Sequence, residues 1–121
     1  MNDQATVHTW QAITPDHPMP RIDRRLLRGQ HAMLSHVTLH RGFKVEPHAH
    51  PNEQFAVVLS GRIRFTLGEP GASPHEVELV GGQVLQIPPN VRHGAEAIET
   101  TVILDVFSPP SATTGVDRSR G

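Results

Sequence analysis

The chain reads as an all-β domain, a sandwich or barrel of short antiparallel strands, on three observations. Ten glycines and eleven prolines cut its 121 residues into short pieces, punctuation that many-stranded domains require. Apolar stretches recur at intervals of roughly ten residues with turn residues between them, as in sandwiches and barrels rather than strand–helix–strand units. Ile63, Phe65 and Leu67 alternate with Arg62, Arg64 and Thr66, the period of two that gives a strand one dry and one wet face.

The elements follow in chain order. Residues 1–30 form an arm expected to pack on the barrel or on a partner. Pro15, Pro18 and Pro20 forbid a long helix there, since each lacks the amide hydrogen, and Trp10 and Ile13 supply apolar anchors. Residues Ile22 to Leu27 fit either one helical turn or an extended arm. The one basic cluster, Arg21 to Arg25, is interrupted by Asp23 and reads as a solvated face or an ion-pair network.

The barrel is expected over residues 31–110. Its strands are Leu34 to Leu39, ended by Gly42, then Phe55 to Leu59, bounded by Ser60-Gly61, then the alternating run after it. Residues Gly68 to Pro74 form a loop. Val77 and Leu79 begin a strand turned by Gly81-Gly82, and Val84, Leu85 and Ile87 lead into Pro88-Pro89-Asn90. Thr101 to Phe107 is the last strand, closed by Pro109-Pro110. The tail, 111–121, is small, polar and charged and is expected to be mobile.

Two strands are apolar on both faces. Val102, Leu104 and Val106 oppose Ile103 and Phe107; Phe55, Val57 and Leu59 oppose Ala56 and Val58. A barrel this small does not cover its own outside, so a second subunit is expected to, giving a homodimer.

Composition excludes several classes. With no cysteine, disulfides and thiolate sites are absent, and any metal must sit on nitrogen and oxygen. Eleven basic against twelve acidic residues give a net charge of -1, no electrostatic footprint for nucleic acid or an anionic membrane. No apolar run approaches the roughly 20 residues of a membrane span. The start, Met1-Asn2-Asp3-Gln4, has no positive or apolar stretch of a secretory signal, so the cytoplasm is the expected location.

Nine histidines stand out. His48-Ala49-His50 projects two imidazoles from one face of a strand. On the same parity lie Asn52 and Gln54, while Glu53 points away, toward an ion pair or a supporting contact. Gln54 can offer an amide oxygen, and His93, beyond a Gly-Pro turn, is placed to close the site from a neighbouring strand. Three imidazoles and an oxygen suit Fe, Mn, Ni, Zn or Cu with positions open for water or substrate. The pair's spacing alone also fits two solvated side chains. His36 and His40 share parity and read as a solvent-facing stripe. Asp105 sits mid-strand on the face of Ile103 and Phe107. A carboxylate in an apolar pocket titrates high, which suits a general acid or base; a buried Asp satisfied by backbone amides or an Arg is the alternative.

The spacings resemble those of the cupins. Gly42, five residues, His48-Ala49-His50, three residues, Gln54, six residues and Gly61 is similar to their first motif, with Gln54 where Glu is usual. Gly82, five residues, Pro88-Pro89-Asn90, two residues and His93 is similar to the second, with Asn90 where Gly is common and Ala97 where Asn is. The resemblance covers roughly residues 31–107. It implies a jelly-roll (double-stranded β-helix) barrel and one metal on His48, His50, Gln54 and His93. An amide ligand cancels none of the ion's charge, so the site should favour an anionic ligand.

A narrower resemblance, through His48 to Gln54 and Leu104 to Pro110, is to pectin-degradation cupins acting on unsaturated uronates. It implies that Asp105 and Phe107 line the pocket, Asp105 as the catalytic proton carrier and Phe107 in contact with substrate. Ser111 stands where that family has an Arg for the substrate carboxylate. The expected function is ring opening or keto–enol isomerisation of a small, anionic sugar acid. A metal-dependent dioxygenase, a cyclase and a non-catalytic binding module are the other expectations.

Overall fold

The computed structural model describes residues 4–69 and 75–112. The expected tail lies almost wholly outside the described residues, as does most of the loop expected before Pro74. Among the described residues, nine strands make two antiparallel sheets: β1 (Ile22–Arg28), β2 (Met33–Leu39), β3 (Lys44–His48), β4 (Glu53–Ser60), β5 (Arg62–Leu67), β6 (His75–Val80), β7 (Val84–Ile87), β8 (His93–Ala97) and β9 (Thr101–Ser108). One sheet has the order β1-β2-β9-β4-β7, the other β3-β8-β5-β6. This is the jelly roll.

The alternation expected from sequence decides which side chains face inward. In β2, Met33, Ser35, Val37 and Leu39 are buried, and in β5, Ile63 and Phe65. The interior is one apolar cluster that takes in Val37 and Ile103 from the first sheet and Ile63 and Phe65 from the second. Buried aliphatic and aromatic side chains of this size contribute about 1.5–3 kcal/mol each, which makes the two-sheet interior the main source of stability.

Residues 22–28, taken from sequence as arm, form the edge strand β1, paired with β2 along seven positions from Ile22↔Leu39 to Arg28↔Met33. β1 buries Ile22 and Arg24. Arg24 is tolerated there because Asp16 receives its guanidinium at 2.7 and 2.9 Å, a bidentate, charge-assisted pair. The pair and the backbone bridge Asp16↔Arg24 tie the arm down. Further out, the short 3₁₀ turn Trp10–Ala12 stacks Trp10 on His36, ring centroids 4.9 Å apart. Arg25 donates to the Ile13 carbonyl at 3.0 Å. His36 and His40 therefore have partners, His40 meeting Asp23 at 2.8 Å. Among the described residues, no helix is long and apolar enough to cross a membrane.

The first sheet's outer face stays apolar where the arm ends. Phe55, Val57, Leu104 and Val106 point outward and are half-buried at most, and Leu59 and Val84 are exposed.

Candidate metal centre

The site lies at one end of the barrel. His48 ends β3 and pairs directly with His93, the first residue of β8. Gln54 sits second in β4, across from Phe107 of β9, and Asp105 lies one inward step along β9. The sheet that carries β3 and β8 therefore supplies two imidazoles, and the opposite sheet supplies the amide and the carboxylate.

The parity argument for residues 48–54 does not hold as a single strand. The chain leaves β3 after His48 and enters β4, in the other sheet, at Glu53. His50 is on the connection between them, fixed where its carbonyl accepts the Asn90 N–H at 2.8 Å. Asn52 turns away from the site: it is buried and donates to the Pro109 carbonyl at 2.6 Å. Glu53 faces outward, accepting from Gln86 at 3.2 Å. His48, His50 and His93 still converge, with ligand nitrogens all within 4.8 Å of one another.

The hydrogen bonds fix which nitrogens are available. His48 Nδ1 meets the Glu46 carbonyl at 2.9 Å, His50 Nδ1 that of Asn52 at 3.1 Å, and His93 Nδ1 that of Val91 at 2.9 Å. A carbonyl oxygen only accepts, so each Nδ1 carries the hydrogen and each neutral ring leaves its Nε2 lone pair bare. Among the described residues, the Nε2 atoms of His48 and His93 are buried without a partner, a condition costing about 1–3 kcal/mol per group unless something satisfies it. His50 Nε2 lies 3.1 Å from Gln54 Oε1. In that tautomer both atoms are acceptors, an arrangement that a cation between them relieves. Gln54 Nε2 donates to Asp105 Oδ1 at 2.9 Å, which aims the amide oxygen at His50. The donor set fits a metal ion: three His form a potential metal site, with oxygen ligation available beside it.

Electrostatics agree. Burial pushes the His93 pKa down to about 4 and lowers that of His48, so both rings are neutral, ligand-ready bases at neutral pH. Burial pushes Asp105 up to about 7, with the Gln54 hydrogen bond opposing it. The Asp105 carboxyl borders a cavity of about 30 Å³, along with His48, Gln54, His93 and apolar residues such as Val37 and Phe65. That space admits an ion and about one water. Phe107 has no exposed surface and stands edge-on to His50, centroids 5.8 Å apart; it braces the ligand ring and does not reach the cavity. The Ser111 carbonyl accepts from the Arg28 guanidinium at 2.6 Å. Sequence reasoning missed the three orienting carbonyls and the Asn52 clamp, because backbone acceptors leave no residue-type signature.

Comparison with known proteins agrees with this fold. The structure of KdgF from Halomonas sp. superposes with a TM-score of 0.81 at 23% identity, over 90% of this chain and 97% of that one. An RmlC-like cupin from Shewanella frigidimarina gives 0.80 at 20%, over 93% and 97%. Oxalate decarboxylase of Bacillus subtilis, a protein with Mn(II) centres, gives 0.76 at 18%, over 92% of this chain but 32% of its own. At such identities the likeness carries the fold. No curated protein is similar enough in sequence to count as a relative. The model of the cupin domain matches residues 35–107, a stretch that runs from inside β2 to nearly the end of β9 and spans both sheets. The chain belongs to the cupin family.

Proposed function

We propose that this cupin holds one divalent transition metal, from the group Fe, Mn, Ni, Zn and Cu, on His48, His50, Gln54 and His93. On it the protein acts on a small, anionic, oxygen-rich acid by ring opening or keto–enol isomerisation. The observation that carries the reading is Asp105: a carboxyl in the cavity wall, held by Gln54 and brought to about 7 by burial. A group near half-titration at neutral pH donates and accepts a proton with equal ease. In keto–enol exchange an O–H bond breaks and a C–H bond forms, so the reaction is balanced without an oxidant or reductant. A bound ion supplies Lewis acidity toward a substrate oxygen. The cavity is small, so only the substrate's donor atoms enter and its bulk rests at the mouth. Phe107, from its place against His50, acts by holding that ligand rather than by touching substrate.

The test is turnover of an unsaturated uronate by metal-loaded protein, followed by ultraviolet absorbance. Asp105→Asn should lower kcat by 10²-fold or more, the usual range for a lost proton carrier, while metal content is unchanged. Unaltered turnover in that variant sinks the reading.

The apolar outer face of β4 and β9 supports a homodimer as the working form. It presents two contiguous rows, Leu34–Val106–Phe55 and Leu104–Val57–Val84, set by the strand register.

A further inference from the structure

Ser35 lies mid-way along β2, on the inward face with Met33 and Val37. It has no exposed surface, and among the described residues its Oγ has no hydrogen-bond partner. Buried hydroxyls are nearly always bonded, because burial strips away water without replacing it. This one is not part of the imidazole cluster.

The strand register identifies its neighbour. β9 runs between β2 and β4, and Asp105 stands directly across from Ser35 on one side and from Ala56 on the other. Side chains paired this way on one face have Cβ atoms about 4.5–5.5 Å apart, a gap that a hydroxyl and a carboxyl close by rotating about χ1. On the flanking strands, Met33, Val37, Ala56 and Val58 around Asp105 are apolar, which leaves Gln54 and Ser35 as its polar neighbours there. Gln54 Nε2 holds Oδ1 from the β4 side at 2.9 Å. Ser35 flanks the same carboxyl from the β2 side.

The two neighbours differ in what they offer. An amide N–H only donates, whereas a hydroxyl donates and accepts. Ser35 therefore suits Asp105 with or without its proton, donating to the carboxylate and accepting from the carboxylic acid.

We propose that Ser35 is a positioning residue, the second anchor of Asp105, which keeps the carboxyl aimed at the metal centre through both halves of a proton transfer. This rests on the reading of Asp105 as the proton carrier. The proton passes from Asp105 to substrate and back, while the Ser35 hydrogen stays on Oγ throughout. Ser35 touches neither substrate nor ion, so it governs kcat and leaves KM and metal content alone.

The experiment has two arms. In metal-loaded protein turning over an unsaturated uronate, Ser35→Ala should lower kcat roughly tenfold, with KM and bound metal unchanged. Ser35→Thr, which keeps the hydroxyl, should recover most of that loss. The second arm is infrared spectroscopy of metal-free protein at about pH 5, where most solvated carboxylates are ionised. The carboxyl C=O stretch of Asp105 is identified by its absence from Asp105→Asn. Ser35→Ala should move that band to higher frequency, as expected for a lost hydrogen bond. A loss of kcat together with the band shift carries the proposal even if the Thr variant is too bulky to fold. Unchanged kcat in Ser35→Ala overturns the role of Ser35 and leaves the metal-centre reading intact. A fall in kcat with the band unmoved marks lost packing and overturns it as well. Failure of the wild type to turn over the uronate overturns the proposed function and this proposal together.

Discussion

Gln54 is where a single side chain sets the character of the site. Its amide brings no charge, and its nitrogen is held 2.9 Å from Asp105. Gln54→Glu would put two carboxyls at that separation, which forces one of them to stay protonated. The expected outcome is tighter metal binding, by tenfold or more, with weaker binding of acids; paired metal and ligand titrations check it. Acid response belongs to His93 and Asp105. His93 binds its proton more weakly folded than unfolded, about 4 against 6.5. Between those values the unfolded chain holds the extra proton, so acid destabilises the fold. Asp105 does the reverse, about 7 against 3.8: there the folded protein holds the extra proton, and stability is lost as pH rises. The slopes oppose each other from about pH 4 to 6.5, so in metal-free wild type Asp105 offsets the His93 contribution across that window. Asp105→Asn removes the opposing contribution and leaves those of His93 and His48, whose proton affinity burial also lowers, so the variant should lose about 3 kcal/mol or more as pH falls through it. Urea unfolding at several pH values measures this; a flat profile in the variant contradicts it.

At the scale of elements, β8 carries Gly94 where the backbone of β3 leaves no room for a side chain. A Cβ at Gly94 would stand 2.9 Å from the Val45 carbonyl oxygen and 3.1 Å from the Pro47 nitrogen, and these backbone atoms cannot rotate aside. Gly94→Ala should push β3 outward, separating His48 from His93. The expected cost is about 1–3 kcal/mol with a marked loss of bound metal, read by thermal unfolding and metal analysis. Much of this level was legible beforehand. The run at 62–67 became a strand because alternation reports directly on a pleated, half-buried ribbon, and the apolar runs at 34–39, 55–59 and 101–107, cut off by glycine and proline, became strands as well. β1 was not legible: Ile22, Arg24 and Leu26 face one way, but the buried Arg24 disguises the pattern, and only Asp16, eight residues earlier, makes that burial possible. The convergence of His48, His50 and Gln54 followed from motif spacing, whereas the straight strand assumed to produce it is a passage between sheets. Asn52 shows the difference, since it shares their parity and serves Pro109 instead.

For the molecule as a whole, the open question of surface is the first sheet's outer side. Trp10 and the arm cover it over β1 and β2. Over β9, β4 and β7 the outward side chains are mostly Val, Leu and Phe, with Val84 exposed to 56% and the polar pair Glu53 and Gln86 beside them. Contiguous apolar area of this kind marks an interaction surface. Light scattering at micromolar concentration should give twice the chain mass, and Leu104→Glu with Val57→Glu should give a well-folded single chain. A wild type that stays monomeric at high concentration removes the dimer. What was legible at this scale was the existence of two apolar faces; the extent left uncovered depended on where the arm lies, and its prolines specify only that it is not a helix.

The donors come from both layers of the sandwich, His48 and His93 from one and Gln54 from the other, with His50 on the span that joins them. An ion seated there is therefore a rivet as well as a reagent, and chelation free energy becomes cohesion between the layers. At a hundredfold excess over Kd that amounts to about 2.7 kcal/mol, enough to raise the melting temperature by several degrees. Stripping the ion should loosen hydrogen-exchange protection first where β3 and β8 face β4, before either sheet comes apart.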